Sequence, residues 1–388
     1  MRNPQTLELV RSLLPGIRER VGEAEKIRRM PDATAAEIRE SGLMRLLQPA
    51  RWGGHEADPR DLYESIMMVA SACGSTGWTF GILAVHAWEM ALFGDELLEE
   101  IWGENPDSWI SSSYSPGGEL VPVKSGHRLT GRWKFSSGCE HANWAVLGSF
   151  IDRGENQHAE RFHVVVPRSD YEIRDTWNTV GLRGTGSNDI VIDDVFVPAH
   201  RMLAMRSIHE GENMPGHEDN ASPLYRMPFA SMFINVITAP IIGMAEAMLA
   251  EGVTRSKTRV SALGPTLTTD PWTIATLARA ASQIEAARVQ LLRNIGDLYE
   301  TVQSGAVITL DQRSRVRRDQ VVGSQQALSA LDDIFDRIGA SAIHLTDPAQ
   351  RIWRDAHTAQ HHAANSSERA LFSWTHHSMG LGTTDLLV

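Results

Sequence analysis

Cysteine is nearly missing from this chain: Cys73 and Cys139 are the only two in 388 residues. Two thiols without CxxC spacing build neither a disulfide framework nor a zinc ligand set, so a reducing cytoplasm is the expected compartment. A basic surplus is missing as well. With 37 Lys and Arg against 48 Asp and Glu the formal charge is −11, and the cations are scattered, which leaves no electrostatic footprint for nucleic acid. The first ten residues are polar and charged and hold no apolar core of an export leader. Long apolar runs are scarce. The run from Met232 to Ala250 approaches the length of a membrane span, but Asn235, Pro240 and Glu246 interrupt it and no basic flank anchors it, so no membrane is expected and a buried central helix is. No HExxH occurs, and His357, His361 and His362 lack an acidic companion, so no metal is expected. The stretch Gly181 to Asp189 contains GxG without a third glycine in register and enters a strand, which excludes a nucleotide fingerprint.

Apolar residues at 42% and charged residues at 22% describe a folded globular protein. Three textures follow one another, with expected boundaries at 1–104, 105–217 and 218–388. In the first, Leu7, Val10, Leu13 and Leu14 recur at helical spacing, and Ala35 to Leu47 repeats the pattern behind Asp32, read as an N-cap. Arg51-Trp52-Gly53-Gly54 makes a turn, and Leu62 to Phe93 is apolar and rich in small residues, implying close backbone approach between helices or around a ligand. In the second, the runs Trp109-Ile110, Trp144 to Leu147, Phe162 to Val166 and Ile190 to Ile192 are separated by turn residues and predict a compact antiparallel β domain. In the third, Asp270-Pro271 opens a helix whose seam is Ile274, Leu277, Ala281, Ile284, Leu291, Ile295, Leu298 and Val302, and Gly305 ends it. Two more helices are predicted over 311–338 and 349–372. The fold class is therefore α+β multidomain: an N-terminal helical domain, a central β domain and a C-terminal four-helix bundle.

Two segments are harder to assign to folding alone. Ser111-Ser112-Ser113-Tyr114 joins the first two regions, and Trp133-Lys134-Phe135-Ser136-Ser137-Gly138 ends a β run. Hydroxyls at strand ends beside aromatics suit the edge of a flat heterocycle, and they equally suit turns. The order of the regions, with Asp189-Ile190-Val191-Ile192-Asp193-Asp194-Val195-Phe196-Val197-Pro198, resembles the acyl-CoA dehydrogenase fold. Ser71 to Trp78, Ser111 to Tyr114, Ser136 to Cys139, Val180 to Asn188 and Trp353 to His357 are, as a set, most similar to the oxygenase components of two-component flavin-dependent aromatic hydroxylases. Among these the resemblance is strongest to hydroxylases of the secosteroid phenol of sterol ring degradation.

The resemblance implies a monooxygenase that takes reduced FMN or FAD from a separate NAD(P)H-dependent flavin reductase, forms a C4a-hydroperoxyflavin with O2, and hydroxylates a phenol to a catechol. It also implies a homotetramer. Carried over residue by residue, the catalytic positions fall on His86, Ser112, Ser137 and His362, and the flavin contacts on Ser113, Tyr114, Phe135, Ser136 and Ser137. Ser137 would stand near flavin N5, His86 and Ser112 would hold the phenol oxygen, and His362 would sit on the peroxide side as proton donor or positioner. Ser136 competes with Ser137 for N5, since strict alternation sends neighbours to opposite faces. His357 and His361 compete with His362. An acyl-CoA dehydrogenase acting on a thioester is the alternative. It requires a late carboxylate base, and the matching stretch reads Asp355-Ala356-His357-Thr358, with histidine in that place.

Overall fold

The computed structural model describes residues 2–152, 159–258, 270–383, 385, 387 and 388. Among these, six α-helices come first: α1 (Pro4–Glu19), α2 (Val21–Ile27), α3 (Asp32–Glu40), α4 (Pro59–Ala72), α5 (Gly74–Met90) and α6 (Asp95–Trp102). Seven strands follow, β1 (Ile110–Val123), β2 (Gly126–Ser136), β3 (Trp144–Ile151), β4 (Glu160–Pro167), β5 (Glu172–Arg174), β6 (Asn188–Pro198) and β7 (Met202–Ala204). They form one sheet in the order β5-β6-β2-β1-β3-β4-β7. Two short helices, α7 (Met205–Glu210) and α8 (Gly216–Asp219), lead into α9 (Phe229–Thr258), α10 (Pro271–Gln303) and α11 (Leu310–Ile338), and α12 (Pro348–Gln360) and α13 (Ser367–Ser378) close the chain.

Helix starts are written locally. Asn3-Pro4, Asp58-Pro59, Asp270-Pro271 and Asp347-Pro348 each place an Asx side chain on the first free N–H groups and a proline where an N–H has no partner anyway. Asp32 differs from expectation. It lies inside the first turn of α3, Pro31 holds the cap position, and the Asp32 carboxylate pairs with Arg29 at 3.0 Å.

Helix α9 is the apolar run expected to be buried, and it is the centre of the molecule. Helices α4 and α5 pack on it from one side and α10, α11 and α12 from the other, so the outer regions share one hydrophobic core. The sheet keeps a smaller core of its own around Trp133, Leu147 and Ile190. The small residues of α4 and α5 serve helix contact: a Cβ on Gly77 would lie 2.4 Å from the Ala70 Cα. On α10 the seam holds from Ile284 to Val302, but Ile274 is half exposed because the first turns run past the core.

Two expectations need correction. Five of the six strand pairings are antiparallel, while β1 and β3 run parallel because the chain leaves β2, crosses over β1 and returns on its far side. Ser111 to Ser113 accordingly lie inside a central strand and not in a connection. The helix predicted over 349–372 is two helices. Between them the His362 ring accepts the Ala364 N–H at 3.1 Å and the Asn365 amide donates to the Ala359 carbonyl at 3.1 Å, both in place of helical bonds.

Candidate active site

Every residue of α5 is buried, so its polar side chains must find partners inside the protein. His86 and Glu89 stand one turn apart, and His86 Nδ1 lies 2.8 Å from Glu89 Oε2. From β4, His163 Nδ1 reaches the other oxygen, Oε1, at 2.8 Å. From β1 the Tyr114 hydroxyl donates to Oε2, and Ser112 stands two residues earlier on the same strand, close enough to the phenol to oppose the rise of its pKa in part. One carboxylate thus collects three donors from three elements. Burial alone would raise its pKa, but hydrogen bonds from His163 and His86 outweigh it and hold Glu89 down at about 2. Burial, followed by the Glu89 charge, pushes the Tyr114 phenol well above its ordinary range. The Tyr114 ring stacks on His163 at 4.5 Å and meets the edges of Phe233 and Phe229 at 4.9 and 5.5 Å, which encloses the cluster in aromatic surface.

Trp78, on the same helix, links a second group. Its indole N–H donates to the Ser137 hydroxyl at 3.1 Å, and its ring lies 5.8 Å from that of His362. Ser137 contacts Ser187 at 2.7 Å, Ser187 contacts Thr185 at 2.7 Å, and Thr185 donates to the Leu182 carbonyl at 2.9 Å. Each hydroxyl has a single proton, so the direction is fixed: Thr185 gives its own to Leu182, accepts from Ser187, and Ser187 accepts from Ser137. The Ser137 oxygen then has one lone pair on Trp78 and one left over. His362 is driven down to about pKa 4 by burial, and its Nδ1 accepts a backbone N–H, so the neutral ring carries its proton on Nε2.

The motifs singled out at Val180 to Asn188 and Trp353 to His357 meet each other. Asp355 accepts the Leu182 N–H at 2.6 Å, and Arg354 holds the Val180 carbonyl and Glu25. Contact is so close at Gly181 that a Cβ would lie 2.2 Å from the Arg354 carbonyl. This clamp fixes the loop that carries Thr185 and Ser187.

Of the residues marked in the sequence, His86, Ser112 and Tyr114 come together, and Ser137 and His362 are joined through Trp78. Ser113 and Ser136 turn into the sheet, the first donating to the Lys134 carbonyl at 2.7 Å and the second to Ser111 at 3.2 Å. Alternation does not decide between Ser136 and Ser137, because β2 ends at Ser136 behind a positive φ of 67° at Phe135. The Phe135 ring is exposed and stands 6.1 Å from Trp177. His357 pairs with Asp332 of α11 at 2.8 Å and His361 with the His357 carbonyl at 2.8 Å, both away from Trp78. Glu89 and His163 escaped the sequence reading. The one signal for Glu89 was a lone charge within an otherwise uncharged stretch from Gly77 to Phe93; for His163 nothing adjacent in sequence marked it.

The residues present fit a reduced flavin. An accepting hydroxyl at Ser137 complements an N–H at the edge of the reduced ring, and His362 offers an Nε2–H donor nearby. Among the described residues no group of three His, Cys, Asp or Glu side chains is arranged to hold a metal ion. A cavity of about 500 Å³, lined by Leu92, Ile208, Met227, Val302 and Arg313 among others, ends on Phe229 and so touches the Tyr114 and His163 cluster from outside.

Residues 235–367 match the family model of the acyl-CoA dehydrogenase C-terminal domain. The oxygenase subunit HsaA of a flavin-dependent monooxygenase from Rhodococcus jostii is 43% identical, over 97% of this chain and 99% of its own. The crystal structure of a 3-HSA hydroxylase from Rhodococcus sp. RHA1 superposes with a TM-score of 0.95 at 42% identity, covering 99% of this chain and 98% of that one. XiaF from Streptomyces sp., solved with FADH2 and glycerol, superposes with a TM-score of 0.90 at 29% identity, covering 98% and 96%. In sequence and fold the chain belongs to the oxygenase components of two-component flavin-dependent aromatic hydroxylases, which work with reduced flavin, O2 and a separate reductase.

Proposed function

We propose that this enzyme hydroxylates a bulky, apolar phenol at the carbon next to its hydroxyl, giving a catechol, and that the substrate is a secosteroid phenol of sterol ring degradation. The observation that carries this reading is the pairing of two buried groups around Trp78 and Phe233: His86, Ser112 and Tyr114 on one side, Ser137 and His362 on the other. His86 and Ser112 take the phenol oxygen. Drawing off its proton makes the ring electron-rich and directs attack to the neighbouring carbon. Reduced flavin, when bound, supplies the activated oxygen atom from O2. Ser137 would accept from the edge of the reduced ring near N5 with the lone pair left over after Trp78, and His362 would offer its Nε2–H to the bound group as donor or positioner. Water is kept out by Phe229, Phe233 and Tyr114. The cavity that ends on Phe229, lined by apolar residues together with His209, His217, Arg226 and Arg313, supports a substrate larger than a single ring. A thioester substrate finds no support, since His357 faces Asp332 and the Asp355 carboxylate is spent on Leu182.

The enzyme is further proposed to be a cytoplasmic homotetramer. Exposed Trp272, Ile274 and Val289 on the outer face of α10 support burial against another subunit, and two buried free thiols suit a reducing compartment. The deciding assay supplies reduced FMN and FADH2 side by side with a secosteroid phenol, a single-ring phenol and an acyl thioester. Catechol formed per O2 consumed is highest with the secosteroid if the reading holds. Oxidation of the thioester, or preference for the single ring, overturns it.

A further inference from the structure

Both imidazoles bound to Glu89 spend Nδ1 on that carboxylate, and the Nε2 atoms of both His86 and His163 are buried without a hydrogen-bond partner among the described residues. Leaving a buried polar atom unpaired costs roughly 1–3 kcal/mol, so a pair of them in one aromatic enclosure points to a ligand. The geometry also settles which nitrogen holds the proton. An ionised carboxylate only accepts, so each Nδ1 facing it is N–H, and a ring that carries only that proton presents a bare lone pair at Nε2.

Resting on the phenol site proposed above, we infer that Glu89 is the positioning residue of that site: gripped by His163 and Tyr114, it holds His86 in the Nδ1–H form and leaves Nε2 as the acceptor for the phenolic proton. In the step itself the phenol O–H bond breaks, an Nε2–H bond forms, and the electron pair stays on oxygen as phenolate. The resulting imidazolium sits against the Glu89 carboxylate and not alone in the core. Without that anion a buried imidazole would resist the proton. His163 and Tyr114 each hold a further lone pair of the same carboxylate, which opposes its rotation away from His86. The titratable groups facing this unit are His86 on α5, Tyr114 on β1 and His163 on β4, with His209 of α7 next to His163 and Arg313 of α11 beyond it.

The test uses the full chain without flavin and a nitrophenol, whose colour reports its own ionisation, titrated against pH in the bound state. In the wild type the bound probe ionises at lower pH than the free one. Glu89→Gln is expected to raise that midpoint by about one pH unit or more, a tenfold change in the ionisation constant, with the probe still bound. Tyr114→Phe removes one donor from the carboxylate, makes it a stronger partner for the imidazolium, and is expected to shift the midpoint the opposite way. Those opposed signs would not come from loosened packing, and Tyr114→Phe stands as the test should Glu89→Gln fail to fold. Equal midpoints in wild type, Glu89→Gln and Tyr114→Phe, with His86→Ala alone shifted, overturn the role of Glu89 and leave the phenol site standing. A wild type that binds the probe without altering its ionisation overturns the phenol site and this inference together.

Discussion

In the proposed mechanism Ser137 and His86 divide two tasks that a single assay separates. Ser137→Ala removes the acceptor beside the reduced ring and is expected to raise H2O2 released per O2 consumed several-fold while phenol binding persists. His86→Ala removes the proton acceptor and is expected to lower catechol formation about 10²-fold. Equal uncoupling in the two variants would remove the division. The direction of the hydroxyl chain yields a sharper prediction. In Ser187→Ala the Ser137 proton loses its acceptor and becomes free to donate, which suits the bare N5 of oxidised flavin. Titration with both redox forms is expected to show the preference for reduced over oxidised flavin shrinking severalfold, and an unchanged ratio would contradict the assigned direction. Motif resemblance marked His86, Ser112, Ser137 and His362 as positions, and the structure buries His86 with Ser112 and Ser137 near His362. Glu89 was not legible in the sequence. Its meaning comes from His163, 74 residues away on a strand whose partner in the fold no local pattern announces.

Helix boundaries were legible where a side chain acts on its own neighbours. Asp270-Pro271 could be read directly, and the same device at Asp347-Pro348 opens α12. Asp347 also holds Arg255 of α9 at 2.7 Å, so Asp347→Ala removes a cap and an interhelical bond together. The expected loss is about 1–2 kcal/mol, read as a lower midpoint of chemical denaturation at unchanged slope. The break between α12 and α13 was not legible, because a histidine and an asparagine in a helical stretch ordinarily leave it intact. Here the Ala364 carbonyl is taken by the buried Arg317 guanidinium, and that long-range contact settles the local conformation. The parallel pairing of β1 and β3 was hidden for the same reason: runs of β-branched residues give strands without saying which lie side by side.

The meeting of sheet and bundle depends on one buried acid. Burial raises Asp355 from 3.8 to about 6, with the Leu182 N–H opposing the shift only in part. A carboxylate with a raised folded-state pKa favours the folded protein while protonated and penalises it once charged. Stability therefore falls as pH climbs from about 4 through about 6, and the penalty is complete above that. Asp355→Asn keeps an oxygen for Leu182 without the charge. It is expected to raise the melting temperature at pH 7 to 8, by the equivalent of about 1–3 kcal/mol, and to change little at pH 4. A gain of equal size at both pH values would mean that charge burial is not the cause. The central place of α9 was readable from its apolar length and polar interruptions, since a helix apolar all round belongs inside. Which elements would surround it was not readable.

Helix α5 has no face toward water, and Trp78, His86 and Glu89 all hang from it. Substitutions along its length therefore divide by size: those that crowd Gly77 cost the fold, and conservative ones tilt the three side chains. Conservative replacements in this segment are expected to loosen the match between oxygen use and ring oxidation while the protein still accumulates in cells, which would mark it as the rigid rail on which the two proposed half-reactions are aligned.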